Sequence, residues 1–390
     1  MEKIYDLVLK NGFVIDPSQE INGIMDLAIT GDKVAALNKD INPSQAIRVI
    51  NVAGKIIAPG LIDDHVHCYH NMFEMCLPPD RAGVYNGVTT VVDAADAGAG
   101  TLFGFRKFIV EPSKTNVYCL LNIAFAGMIY QPEPDQPLEG RWSEIDSWDD
   151  INAELTVRKA AENRDVVLGI KLRAFGKLIE SKGIEPVELA KKIAVAAQLP
   201  LVVHIGAMQG TVPEDLAPRI LNLLDKGDIL CHLYTNKRGR VIELGKPIMK
   251  ELRNAKERGV IFDMCHGWFN FGFETARHGI AEGIVPDIIS SDLAIPNVFG
   301  PVYGLCETMS KMMAVGLTLE QVVKMTTTNP AQALKIADRH GSLKPGRVAD
   351  ISVLELLRTK HTFTDSYGGT LKGEDLLLPI FTIRSGKRVA

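Results

Sequence analysis

Eight short apolar runs punctuate the middle of this 390-residue chain, and their regularity limits the fold more than any other feature. They lie near Leu61–Asp64, Thr89–Asp93, Val117–Phe125, Val166–Ile170, Leu201–Val203, Ile229–Cys231, Val260–Phe262 and Ile284–Ile289. Several lack polar alternation, as strands do when a parallel sheet is covered on both faces. Helical periodicity fills intervals between them, over Ile151–Asn163, Glu185–Ala197, Glu214–Leu224, Ile248–Arg258 and Glu274–Glu282. This alternation predicts an α/β fold, a (β/α)8 TIM barrel over residues 57–345, which exceeds the roughly 250 residues such a barrel needs. A doubly wound open sheet is the competing architecture, but no GxGxxG follows an early strand to mark its nucleotide crevice.

The two ends read differently. Residues 1–56 carry alternating runs (Asp6–Lys10, Phe13–Asp16, Asp26–Thr30, Val34–Leu37) broken at Asn11-Gly12, Asn22-Gly23 and Gly31-Asp32, which are hairpin signals. Residues 346–390 behave alike, with strands at Asp350–Leu354 and Phe381–Ile383. Neither end holds enough apolar surface to fold alone. Both are expected to pair as one small β-sandwich built from the two termini.

Net charge is −4 and no basic run occurs, so a nucleic-acid partner is not expected. The longest uncharged stretch, Ile193 to Pro213, is interrupted by Gln198, Pro200, His204 and Gly206, which argues against a membrane span. The N-terminus lacks an apolar signal core, and the six cysteines form no CxxC pair. A cytoplasmic protein with reduced thiols is the expectation.

Chemistry enters where polar residues end the apolar runs. His65 and His67 close the first in the string GLIDDHVH. A spacing of two puts both imidazoles on one strand face, and at a barrel strand's C-terminal end that face opens on the mouth. Lys171 ends the fourth run (VVLGIKLR), His204 the fifth (PLVVHIG), His232 the sixth (DILCHLY) and Asp292 the eighth (DIISSD). Singly, each has an ordinary reading as a strand-end residue bonded in place or exposed. Jointly, four of the nine histidines, one lysine and one aspartate would converge on one mouth. Such a donor set suits zinc or another borderline divalent ion.

With these residues the chain resembles the amidohydrolase superfamily. The string APGLIDDHVH carries the likeness, as do the strand-end residues above and the closing segments TTTNPAQALKI and GSLKPGRVADISVLE. The likeness is strongest to its amidohydrolase/deacetylase branch, related to dihydroorotases, hydantoinases and adenine deaminases. The resemblance implies a binuclear centre of two divalent metal ions, zinc or alternatively manganese. His65, His67 and Asp292 would hold the more buried ion, His204 and His232 the more exposed one. Lys171, carboxylated by CO2, would bridge both. That modification needs a neutral amine, whereas a free lysine side chain (pKa about 10.4) is almost wholly protonated at pH 7. The resemblance also implies a homo-oligomer acting on a small-molecule substrate.

It further implies hydrolysis by a hydroxide bridging the two metals, with Asp292 as both ligand and general acid/base. Lowering a water pKa from 15.7 to about 7 corresponds to roughly 12 kcal/mol, beyond the reach of one side chain.

Further residues read as substrate contacts. Arg173 and Tyr234 lie two positions beyond Lys171 and His232. They could offer a carboxylate clamp and a hydroxyl respectively, or serve as a rim salt bridge and core packing. Tyr130 follows the third strand, and His266 follows the seventh before Gly267, where it could orient substrate. Cys68 and Cys265 adjoin the site but read as buried packing. His70, His278, His340 and His361 read as structural or surface residues. The Pro-rich segment from Glu133 to Asp150 reads as a loop, either lid or plain connection.

These residues fit an amide- or ester-cleaving hydrolase (deacetylase, cyclic amidase or acyl-ester type) acting on a small carboxylate-bearing molecule. A purine-type deaminase resembling adenine deaminase, or dihydroorotase-like ring opening, is the alternative. A catalytically dead scaffold is the third reading, disfavoured because all six ligand positions are filled.

Overall fold

Both chain ends enter the same sheet. In the computed structural model, which describes residues 3–128, 143–207 and 212–390, the N-terminal segment forms five strands. These are β1 (Tyr5–Asp16), β2 (Ile21–Thr30), β3 (Lys33–Asn38), β4 (Ala46–Asn51) and β5 (Ile56–Pro59). A run of parallel strands follows: β6 (Leu61–Val66), β7 (Val88–Asp93), β8 (Asn116–Asn122), β9 (Val167–Arg173), β10 (Leu201–His204), β11 (Ile229–Cys231) and β12 (Ile261–Phe262). The C-terminal segment adds β13 (Ile351–Thr364), β14 (Thr370–Arg384) and β15 (Lys387–Arg388).

The terminal strands join in one eight-stranded sheet, ordered β15-β14-β13-β5-β1-β2-β3, with β4 also pairing β1. The two termini pair as expected, and they do so within one continuous sheet: β5 bonds β1 along one edge and β13 along the other. Ile57 marks the join, opposite Val14 on one side and Val353 on the other. An apolar cluster of its own, with Leu9, Val14, Leu27, Ile57, Val353 and Ile383, backs this sheet.

The strands β6 to β12 pair in chain order, every neighbour parallel. All residues of β6, β7, β9 and β10 are buried, which accounts for apolar residues on both faces of these strands. Helices Ala153–Glu162, Glu185–Ala197, Leu216–Leu223, Lys250–Arg258 and Phe273–Ala281 fall within the helical segments read from the sequence, give or take a residue.

The eighth run departs from expectation. Instead of a regular strand, residues 288–293 make single bridges, Ile288 to Asp263 and Leu293 to Val66. Their backbone still bonds both edges, with His266 N to Ser290 O at 3.1 Å and Asp292 N to His65 O at 2.8 Å. The Ser290 hydroxyl donates to Asp263 (2.8 Å) and the Ser291 N–H to Asp63 (2.9 Å), so side chains take over part of the pairing. No helix among the described residues is long and apolar enough to cross a membrane.

Candidate active site

The polar residues that end the parallel strands meet in one cavity. His65, His67, Lys171, Arg173, His204 and Asp292 line it, and His232 lies directly behind His204. Lys171 Nζ lies 2.8 Å from His65 Nε2. Asp292 Oδ1 is 3.0 Å from His67 Nε2 and 3.6 Å from His65 Nε2, and its Oδ2 is 4.0 Å from His232 Nε2. His232 Nε2 faces His204 Nδ1 at 2.8 Å. All six residues proposed as ligands are buried.

Neighbouring groups fix how the rings point. His67 Nδ1 meets Asp96 Oδ1 at 2.6 Å, which directs Nε2 into the cavity. His232 Nδ1 donates to Cys265 O at 2.9 Å and so leaves its Nε2 as the lone-pair nitrogen. Burial, reinforced by the neighbouring charges, pushes the His65 and His204 imidazoles well below their usual range, so both are neutral. Burial pulls His67 down, but Asp96 and Asp292 outweigh it and raise the ring to about 10. Burial likewise works against the Asp292 carboxylate, yet its His67 hydrogen bond and nearby positive charges hold it below the ordinary range.

The backbone is bent where the chemistry concentrates. His232 (φ 65°), Cys265 (φ 40°) and Asp292 (φ 52°) all sit in the left-handed region. Such residues cost of order 1–3 kcal/mol each and persist only where surrounding structure over-determines them. Asn297 holds one bend, its side chain donating to Asp292 O (2.8 Å) and accepting from Ala294 N (2.9 Å). Gly267 holds another: a Cβ there would stand 2.4 Å from Asp292 Oδ2.

These residues fit metal ions. The neutral imidazoles of His65, His204 and His232 and the Asp292 carboxylate are donors that zinc and manganese accept, and His67 would join them on giving up the proton that Asp96 and Asp292 favour. The nitrogens of His204 and His232 converge on one point, and His204 Nε2 is buried without a hydrogen-bond partner. Ligand atoms of His65, His232, Cys265 and Asp292 lie within 4.8 Å of one another. Cys265 is therefore nearer the centre than packing alone implies, although burial raises its thiol well above the usual range. Removing Asp96 should weaken metal binding 10- to 100-fold. Asp96→Asn, which keeps an acceptor for the Cys68 and Tyr69 backbone N–H groups, should lose less than Asp96→Ala in a chelator-competition titration.

Other sequence expectations fare unevenly. Arg173 reaches the cavity, but its Nε lies 2.8 Å from the buried Glu144 carboxylate and its Nη2 bonds the same group. Tyr234 does not reach the cavity, since it is buried and its hydroxyl donates to Ile284 O at 2.9 Å. The strand β11 ends at Cys231 and His232 reverses the backbone, so two-residue parity stops there. His266 also points elsewhere: Nδ1 donates to Gly267 O (2.9 Å), Nε2 meets Lys311 Nζ (3.1 Å), and its ring lies beside Phe271. Tyr130 lies outside the described residues, as does 133–142 of the loop. Cys68 is buried and its backbone N–H bonds Asp96, as packing implies.

Sequence reasoning missed the apolar wall of Met75, Met128, Trp268, Phe269 and Pro296, with Asn270 and Asn297 among them. The string HGWFN next to His266 was the readable signal for three of these. Asp96 had one too, as an acid just past the second strand.

Comparison with known proteins agrees with this geometry. The amidohydrolase family profile matches residues 230–388. A deacetylase of Enterococcus faecalis is 34% identical over 98% of both chains. A crystal structure of an adenine deaminase superposes with a TM-score of 0.89 at 34% identity, covering 99% of each chain. One of a dihydroorotase gives 0.86 at 31%, covering 98% of this chain and 97% of that one. The chain belongs to the amidohydrolase family.

Proposed function

We propose that this protein is a binuclear metal-dependent hydrolase that cleaves the amide or ester bond of a small acylated molecule, as a deacetylase does. The observation that carries it is the convergence of His65, His67, Lys171, His204 and Asp292 on one cavity, with His232 against His204. Similarity to a deacetylase along the whole chain supports the acyl group. In this reading residues 288–293 are the eighth strand of a closed (β/α)8 barrel spanning 57–345, with 1–56 and 346–390 as the appended β-structure. Six free, buried cysteines support a cytoplasmic location.

His65, His67 and Asp292 would hold one ion and His204 and His232 the other, with Lys171 as a carbamate between them. Bound there, two divalent cations would supply an acidified water and polarise the scissile carbonyl. The chain's own residues do the rest. The ionised Asp292 accepts the proton of the attacking water and passes it to the leaving nitrogen or oxygen, while Gly267 lets that carboxylate come close. Met75, Met128, Trp268, Phe269 and Pro296 exclude water and receive an apolar portion of the substrate. A substrate carboxylate would bind at Arg173, where it competes with Glu144 for the guanidinium.

The test is metal content per chain by inductively coupled plasma mass spectrometry, on protein purified without chelator or tag. It is followed by assays of acetate release from N-acetyl amino acids and acetyl esters. About two zinc or manganese ions with acetate release are expected. Ammonia release from adenine, or ring opening of dihydroorotate, in place of acetate would overturn the acyl reading. Absence of metal even after reconstitution would overturn the ligand assignment.

A further inference from the structure

The hairpin of β13 and β14 is longer than its own sheet requires. Only Ile351–Leu354 of β13 pairs with β5. The ten residues from Glu355 to Thr364 run on for roughly 33 Å at the usual strand rise. The tip that they carry, Asp365–Gly369, lands on the mouth of the parallel sheet.

Asp365, Ser366 and Tyr367 each make a specific bond there. Asp365 Oδ1 closes the turn by accepting from the backbone N–H groups of Tyr367 (2.9 Å) and Gly369 (2.7 Å). Its Oδ2 accepts from Phe273 N at 3.1 Å, an otherwise open donor at the start of helix Phe273–Ala281. Ser366 N donates to Phe271 O (3.0 Å) and its hydroxyl to Gly267 O (2.8 Å). Tyr367 Oη accepts from Asn236 N (2.8 Å) and lies 3.4 Å from Thr235 Oγ1. Thr235 Oγ1 in turn donates to Asn270 Oδ1 at 2.8 Å.

Two of these chains end in the catalytic cavity. Asn270 lines it beside Trp268 and Phe269, and with Oδ1 accepting from Thr235 its amide Nδ2 is the group left to donate. Gly267 is the turn that lies against the Asp292 carboxylate. The tip therefore ties the segments after β11 and β12 to one another through residues from the far end of the sequence.

We propose that the C-terminal hairpin tip is a positioning element of the substrate wall, in which Tyr367, acting through Thr235, orients the Asn270 amide toward an acceptor oxygen of the substrate. This rests on the reading that the cavity is where substrate reacts. Tyr367 itself touches no reacting atom.

A double-mutant cycle tests it, using Tyr367→Phe, Asn270→Ala and their combination with N-acetyl amino acids and 4-nitrophenyl acetate as probes. Tyr367→Phe should raise KM for the N-acetyl amino acids roughly fivefold, the worth of one hydrogen bond, with kcat and metal content unchanged. Asn270→Ala should do the same, and the double variant should be no worse than either single one. Additive effects, unchanged KM, or parallel loss of kcat and metal would overturn the proposal.

If the wild type turns over neither probe, the functional reading has failed and the positioning role is judged without turnover. The chain has three tryptophans, so Trp142→Phe with Trp148→Phe leaves Trp268 as the sole emitter. In that background Tyr367→Phe should make Trp268 more easily quenched by acrylamide. Unchanged quenching would overturn the positioning role.

Discussion

Asp292→Asn should lower kcat by roughly 10²- to 10⁴-fold while the protein stays folded, the range expected when a general acid/base is removed. The carboxylate is held ionised against burial by its His67 contact at 3.0 Å and by surrounding positive charge, so it is a base at neutral pH. An asparagine of the same shape accepts no proton and relays none. The bonds that build the local bend are made by the Asp292 backbone, from its N–H to His65 O and to its carbonyl from Asn297 Nδ2, and these survive the change. The expected result is therefore a large loss in kcat at saturating substrate with an unchanged far-UV spectrum and a closely similar melting temperature. Wild-type-like kcat would remove Asp292 from the proton-transfer role.

Why these residues were legible is a matter of geometry. In a parallel sheet every strand delivers its C-terminal end to the same face, so a polar residue closing an apolar run is a position in space as well as in sequence. His65, Lys171 and His204 obey that rule within regular strands, β6 and β11 stop one residue before His67 and His232, and Asp292 sits in the 288–293 segment that bridges both edges. Tyr234 was read by two-residue parity and His266 as the residue after the seventh strand and before a glycine, but both lie beyond residues at positive φ, His232 and Cys265, where the strand direction no longer carries over. Nothing in local sequence foretells a left-handed histidine.

The partner of Arg173 was out of reach for another reason. Glu144 lies 29 residues earlier, in a loop segment whose sequence carries no periodicity to place it. The terminal hairpin shows a third limit. Only the inner halves of β13 and β14 are strongly apolar, and those halves were read. The outer halves alternate between exposed and half-buried residues, a weaker signal that hid both their length and their landing site on the mouth.

Lys171→Ala should strip the protein of metal, and short carboxylic acids should return part of it. Lys171 Nζ stands 2.8 Å from His65 Nε2, at the end of a fully buried strand. No other carboxylate or amine of the proposed ligand set comes as near to that ring: Asp292 Oδ1 is 3.6 Å away. Losing an outer-shell partner already weakens metal binding 10- to 100-fold, so losing a bridging ligand should cost at least about 100-fold in apparent affinity. Truncation to alanine also frees the volume of three methylenes and an amine, room for formate, acetate or propionate to supply a carboxylate where the carbamate would stand. Metal per chain, measured after buffer exchange, should fall in the variant and rise with acid concentration. Alanine and asparagine variants of the exposed Lys114 should change nothing, which separates a bridging role from a general loss of positive charge. Full occupancy in Lys171→Ala without any added acid would refute the bridge and leave the histidines and Asp292 as the whole of the metal shell.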